Sequence, residues 1–211
     1  MVLQALDLNH LSWYTSSYPV AYLDGLLQME AYHKEVVEGV SSGVVWFLEH
    51  LPVYTSGSSA KSSHLLQASL IPVVNTGRGG QYTYHGPGQR VVYVMLPLAR
   101  LFAPNKPDIR RFVYLLEQAI IDAIAEFGIQ GERREGRVGI WVKGARFKGG
   151  EAKIAALGLR ISRGVTMHGI AVNISPNLDH FGGIIPCGIS NYDVASMQQL
   201  GIEVSMQEFD V

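Results

Sequence analysis

The chain has 211 residues, 47% of them hydrophobic, with a formal net charge of −1 and a single cysteine. This is enough apolar material for a substantial core, and length favours one domain over residues 1–211. The charge balance gives no basic footprint for nucleic acid, no apolar run approaches the ~20 residues that span a bilayer, and one cysteine makes no intrachain disulfide.

The first eighteen residues, Met1–Tyr18, lack a basic region followed by a continuous apolar run, so no signal peptide is expected and the expected location is the cytoplasm. Ser17 ahead of Pro19 predicts a capped helix start, with Val20, Leu23, Leu27 and Ala31 recurring at helical spacing until Gly39. A β-rich run follows at Gly43–His50. The stretch Gly77–Gln89, GRGGQYTYHGPGQ, carries five glycines and is predicted to be irregular. A second strand is expected at Val91–Leu98. Pro107 then opens a cleaner helix whose apolar stripe is Ile109, Phe112, Val113, Leu116, Ile120, Ile124 and Phe127, stopped by Gly128. Strands are expected at Arg137–Gly144, Lys153–Ser162 and His168–Ser175, and a short helix within Asn191–Ile202. The mixture predicts an α/β (α+β) fold, one mixed β-sheet flanked by helices.

The glycine-rich stretch is neither a P-loop, since no Gly-Lys-Ser/Thr follows, nor a dinucleotide fingerprint, since it opens no helix. Arg78 and His85 inside it favour a loop that lines a substrate over an ordinary turn. Cys187, between Pro186 and Gly188, reads either as an inert core thiol or as a nucleophile that needs a nearby positive charge. Lys153 could supply that charge, or be no more than a solvated strand end. His168 and His85 read equally as structural histidines. His50, His64, His85 and His168 are too scattered for metal spacing, so no metal site is expected.

Taken together, these segments resemble the lipoyl(octanoyl) transferases. Arg78–Gln89 resembles that family's RGGxxTxHGPGQ signature, and Lys153–Ile174 its KIA-x-G-x-R…HG-x-A-x-N block. Ile184–Ile189 resembles its PCGI block, and Phe47–Gly57 an upstream EH-x-P-x-YT-x-G. The blocks occur in the family's order, and the resemblance runs from about Val44 to Leu200. Gly77, where an aspartate is common, and Arg90, where an apolar residue is usual, depart from the pattern.

The resemblance implies a fold like the catalytic domain of biotin and lipoate protein ligases. It implies transfer of an octanoyl group from octanoyl-acyl carrier protein, through a Cys187 thioester, to the lysine of apo-lipoyl domains of 2-oxoacid dehydrogenases and of the glycine cleavage H protein. Cys187 would then be the acyl-accepting thiol and Lys153 the lysine that activates it. Arg78, Gly79, Gly80, Gln81, Tyr82, Thr83, Tyr84 and His85 would form the acyl-pocket loop. Ala156, Leu157 and Gly158, with Gly169, Ile170 and Ala171, would complete the pocket, small residues leaving room for the chain. No cofactor is implied: no ATP, no metal, no nucleic acid or membrane partner, only the phosphopantetheine carried by the donor. The rivals are an ATP-dependent lipoate ligase of the same fold, a non-catalytic acyl binder and a cysteine hydrolase. A ligase would share Lys153 but need no Cys187.

Overall fold

The computed structural model describes residues 10–67, 71–188 and 190–210. The first nine residues of the stretch read for a signal peptide, and Ile189 of the PCGI block, lie outside the described residues.

The larger sheet runs in the order β1 (Ser12–Thr15), β2 (Val44–Leu48), β6 (Gln89–Met95), β9 (Val165–Asn173), β8 (Glu151–Ser162), β10 (Asp193–Val194), with β7 (Ile140–Lys143) also paired to β8. Its centre is antiparallel, while β1 and β10 join parallel, so the sheet is mixed as expected. Both faces are covered, which is why these strands read as near-continuous apolar runs. On one face α1 (Tyr22–Val37) packs Met29 and Val36 against Val44, Trp46, Tyr93 and Met95. On the other, α3 (Ile109–Ala125) packs Ile120 and Ile124 against Ile140, Ile154 and Val172, and α2 (Leu98–Leu101) joins a neighbouring apolar cluster. A short α4 (Met206–Phe209) stacks Phe209 on Phe127. No helix among the described residues is long and apolar enough to cross a membrane.

Several expectations need correction. The sheet is not single: β4 (Val73–Asn75), β3 (Val53–Ser56) and β5 (Thr83–His85) form a second, three-stranded sheet. The glycine-rich stretch is therefore not wholly irregular, since Thr83–His85 pairs with Val53–Thr55. In α1 the helix begins after Ala21, without a side-chain cap, and Leu23 and Leu27 are 59% and 66% exposed. The buried stripe is Tyr22, Gly25, Met29, His33 and Val36. Its polar members escape an apolar search because each has a partner to satisfy: His33 Nε2 donates to Ser162 O at 3.0 Å. Gly25 belongs to the stripe because a Cβ there would stand 2.9 Å from His50 Cε1.

Asn191–Ile202 is not a helix. Asp193 and Val194 pair with Ala152 and Lys153, leaving a 3-10 turn at Gln198–Leu200. The backbone amides that a helix would need are taken by the sheet, Ala195 N donating to Lys153 O and Met197 N to Asn173 O, both at 3.0 Å.

Candidate active site

Cys187 sits in a tight turn, Pro186–Gly188, and its φ of +54° is in the left-handed region that non-glycine residues seldom enter. Strain of this kind persists only where surrounding bonds fix it. Cys187 N donates to Tyr82 O at 2.9 Å, and Gly188 N to Ile185 O at 3.0 Å. The thiol is free and half-buried, and it lines a cavity of about 310 Å³.

Lys153 opens into the same cavity from β8, where it is 8% exposed. Trp141 on β7 and Val194 on β10 flank it in register. Its Nζ donates to Val138 O at 2.9 Å and stands 4.9 Å from the centre of the Trp141 ring. Among the described residues no hydrogen bond joins this amine to Cys187. Gly139 makes room for the lysine stem, since a Cβ there would lie 3.2 Å from Lys153 Cε.

Arg78 is 7% exposed, and no carboxylate pairs with it among the described residues. Its guanidinium is held by neutral oxygens instead: Thr55 O at 2.8 Å, Thr55 Oγ1 at 2.9 Å, Gly79 O at 3.0 Å and Gln81 O at 2.8 Å. Burial pushes its pKa below the ordinary value, opposed by Tyr22, by a thiolate at Cys187 and by Tyr93. The loop that carries it is tied to the large sheet by Gly79 N donating to Leu159 O at 2.9 Å.

The far wall is aromatic and imidazole-rich. Behind it, His50 Nδ1 faces Val20 O at 2.9 Å, so that nitrogen carries the proton, and Nε2 accepts from Tyr93 Oη at 2.7 Å. His85 Nδ1 donates to Gln89 Oε1 at 2.7 Å, the amide being oriented by its own donation to Asn173 Oδ1 at 2.9 Å. His168 is turned inward by a φ of +60° in mid-strand, its N–H leaving the ladder for Met29 Sδ at 3.1 Å. Burial pushes His50 down to about 4, His85 to about 3 and His168 to about 4. It raises Tyr22 and Tyr93. At neutral pH this wall is uncharged, which suits an acyl chain better than an ionic ligand.

The cavity brings together Cys187, Lys153, Arg78, Gly80, Gln81, Thr83 and His85 with the two strand segments Ala156–Gly158 and Gly169–Ala171. It does not include Gly79, Tyr82 or Tyr84. Side chains alternate along β5, so Thr83 and His85 face the cavity while Tyr82 and Tyr84 pack with Tyr54 and Phe181 on the opposite side. Two of the small residues expected to leave room for a chain serve another end. A Cβ at Gly158 would meet Arg78 Cδ at 3.1 Å, and one at Gly169 would meet Val92 O at 2.1 Å, so protein atoms occupy that space. Ala155, the small residue just before Ala156 on the same strand, is in the core rather than on the cavity. Sequence reasoning missed Tyr22, Val91, Tyr93 and Val138, which also line it. His50, held against Tyr93, had a signal in the upstream EH dipeptide; Tyr93, inside an apolar strand, had none.

Comparison with known proteins gives the family and the fold. A family model described as the lipoyl protein ligase A/B catalytic domain matches residues 21–211. An octanoyltransferase of Brucella melitensis is 49% identical over 99% of this chain and 80% of its own length. One of Parvibaculum lavamentivorans is 47% identical over 100% of this chain and 92% of its own. The chain belongs to the octanoyltransferase family. Among solved structures, a bi-partite lipoate protein ligase from Thermoplasma acidophilum aligns with a TM-score of 0.67 over 94% of this chain and 79% of that one, at 14% identity. A biotin protein ligase from Aquifex aeolicus aligns at 0.51 over 95% and 65%, at 13% identity. The chain thus has the expected mixed-sheet fold of the lipoate and biotin ligase catalytic domains.

Proposed function

We propose that this member of the family is an octanoyl-acyl carrier protein:protein octanoyltransferase, a cytoplasmic enzyme acting as one catalytic domain with no ATP or metal requirement. The observation that carries the reading is one cavity, about 310 Å³, that has a strained, half-buried thiol on its wall together with a buried lysine and uncharged aromatic walls. That volume is at the small end of ligand sites. Each methylene moved out of water contributes ~0.8 kcal/mol, so pocket depth can select chain length.

In the first half-reaction the Cys187 thiolate attacks the donor thioester carbonyl, and the tetrahedral adduct expels the phosphopantetheine thiolate, which takes a proton from the Lys153 ammonium. One thioester replaces another, so the step is nearly isoenergetic. In the second half the acceptor lysine amine attacks the Cys187 thioester, loses a proton to Lys153, and the cysteine thiolate leaves. The product is an amide, which makes the sequence run downhill. Arg78, a buried guanidinium that no carboxylate pairs with among the described residues, adds a second positive charge to the cavity that holds Cys187 and Lys153. The acceptors on this reading are apo-lipoyl domains of 2-oxoacid dehydrogenases and the glycine cleavage H protein.

The test is the intact mass after mixing with octanoyl-acyl carrier protein in the absence of ATP. A gain of one octanoyl group, absent in Cys187→Ala and discharged by an apo-lipoyl domain, is the expected result. Octanoylation of the acceptor only with free octanoate and ATP would replace this reading with an adenylating ligase.

A further inference from the structure

The thiol, the amine and the acyl wall leave one requirement of the proposed reaction unassigned. Each tetrahedral adduct carries a negative oxygen, and donors placed for that oxygen are commonly the largest single contribution to acyl transfer. Gln81 meets the requirement. It lines the cavity with Cys187, and its carboxamide lies against the next residue in the chain: a Cβ on Gly188 would fall 2.5 Å from Gln81 Nε2, 2.6 Å from Cδ and 2.8 Å from Oε1. Only glycine allows that contact, and Gly188 also has a φ of +71°.

The orientation of this amide is fixed from the other side. His64 Nδ1 stands 2.7 Å from Gln81 Oε1, so the imidazole N–H donates and the amide oxygen accepts. Nε2, with its two hydrogens, is thereby left on the opposite side, and it has no acceptor among the described residues. His64 does not stand on a free loop. Its carbonyl accepts Ile185 N at 2.8 Å, Leu65 bridges Ile184, and Leu66 N donates to Gly183 O at 2.8 Å, so the segment bearing His64 is laced to the segment that leads into Cys187. At the other end, Gln81 O accepts from Arg78 at 2.8 Å and Tyr82 O accepts from Cys187 N. Amide and thiol are thus parts of one hydrogen-bonded unit.

We infer that the Gln81 carboxamide donates a hydrogen bond to the oxyanion of the tetrahedral adduct on Cys187, and that His64 is the positioning residue that aims it. When the thiolate adds to the thioester, the carbonyl π pair moves onto oxygen, which accepts a hydrogen bond from Nε2–H. When the adduct collapses, the pair returns and the pantetheine thiolate departs. Gln81 neither gains nor loses a proton. This rests on the acyl-thioester reading above.

The experiment compares two reactions of the same thiol in the full-length protein. Acylation by octanoyl-acyl carrier protein in a single turnover builds an oxyanion; alkylation by iodoacetamide does not. Gln81→Met keeps the side-chain length and removes the donor. It is expected to slow acylation ~10²–10³-fold, the usual cost of one such donor, with alkylation and KM nearly unchanged. His64→Ala is expected to slow acylation less, and to add nothing when combined with Gln81→Met, since it acts only through the amide. Acylation by Gln81→Met at the wild-type rate would overturn the assignment. So would equal losses in acylation and alkylation, which mark a damaged thiol rather than a missing donor. Failure of the wild-type protein to form any adduct would instead remove the underlying reading.

Discussion

At the residue scale, the site is made of groups whose environments push them away from their behaviour in water. Cys187 is held in a backbone conformation that costs of the order of 1–3 kcal/mol, and Lys153 is sheltered between a carbonyl and an indole ring. On the proposed chemistry Lys153 acts on both the thiolate and the leaving thiol, so its loss has a signature opposite to that of Gln81. Lys153→Met is expected to reduce single-turnover acylation ~10²–10⁴-fold, the range of general acid–base catalysis, and to slow alkylation as well. Unchanged alkylation with slow acylation would confine the lysine to proton transfer on the leaving group. Which residues matter was legible very unevenly. Cys187 stands out as the sole thiol between proline and glycine, and Lys153 as a charge at the head of an apolar strand. Tyr22, Tyr93 and His64 carry no local mark, because their meaning lies in partners tens of residues distant in the chain or in a hydrogen bond to another loop.

At the scale of elements, glycines govern how closely the pieces approach. Gly169 on β9 faces Gly158 on β8 and lies so near β6 that a Cβ would stand 2.1 Å from Val92 O. That atom is backbone and cannot rotate aside. Gly169→Ala is therefore expected to open the β6–β9 ladder and cost about 3 kcal/mol in a urea melt. Gly182→Ala, where nothing lies within 4 Å, is expected to stay within ~0.5 kcal/mol. Equal midpoints for the two variants would refute the close-approach argument. The long elements were legible because their periodicity is sustained: α3 forms where it was expected and buries Phe112, Ile120 and Ile124, although Ile109 is 51% exposed and Phe127 lies beyond its end. Asp108, not noticed in the sequence, caps it by accepting from Arg111 N at 2.9 Å. The second sheet was not, because β3, β4 and β5 are only three or four residues long and their alternation is hidden among glycines and polar residues. The C-terminal stretch was misread for a related reason. Its pairing partner, Ala152–Lys153, lies some forty residues upstream, and no local propensity announces it.

At the scale of the whole molecule, the far wall of the cavity, with His50 behind it, is also a pH-sensitive part of the fold. His50, His85 and His168 are held neutral, at about 4, 3 and 4, against an ordinary value near 6.5. The unfolded chain binds more protons than the folded one between these limits, so the stability these residues allow is complete above pH ~6.5 and falls as pH drops towards ~4. The slope is up to ~1.4 kcal/mol per pH unit for each histidine. Thermal melts between pH 7 and pH 5 are expected to show a falling Tm, with a shallower fall in His85→Gln. An identical pH slope in wild type and variant would refute the assignment for that residue.

Cys187 hangs from the Tyr82 carbonyl at the edge of the small sheet, whereas Lys153 is rooted in the large one. On the proposed chemistry the reacting pair is assembled across a seam. A molecule wedged into that seam need not compete for the acyl pocket or unfold either sheet; it need only part the thiol from the amine. Inhibition at this site is therefore separable from substrate mimicry.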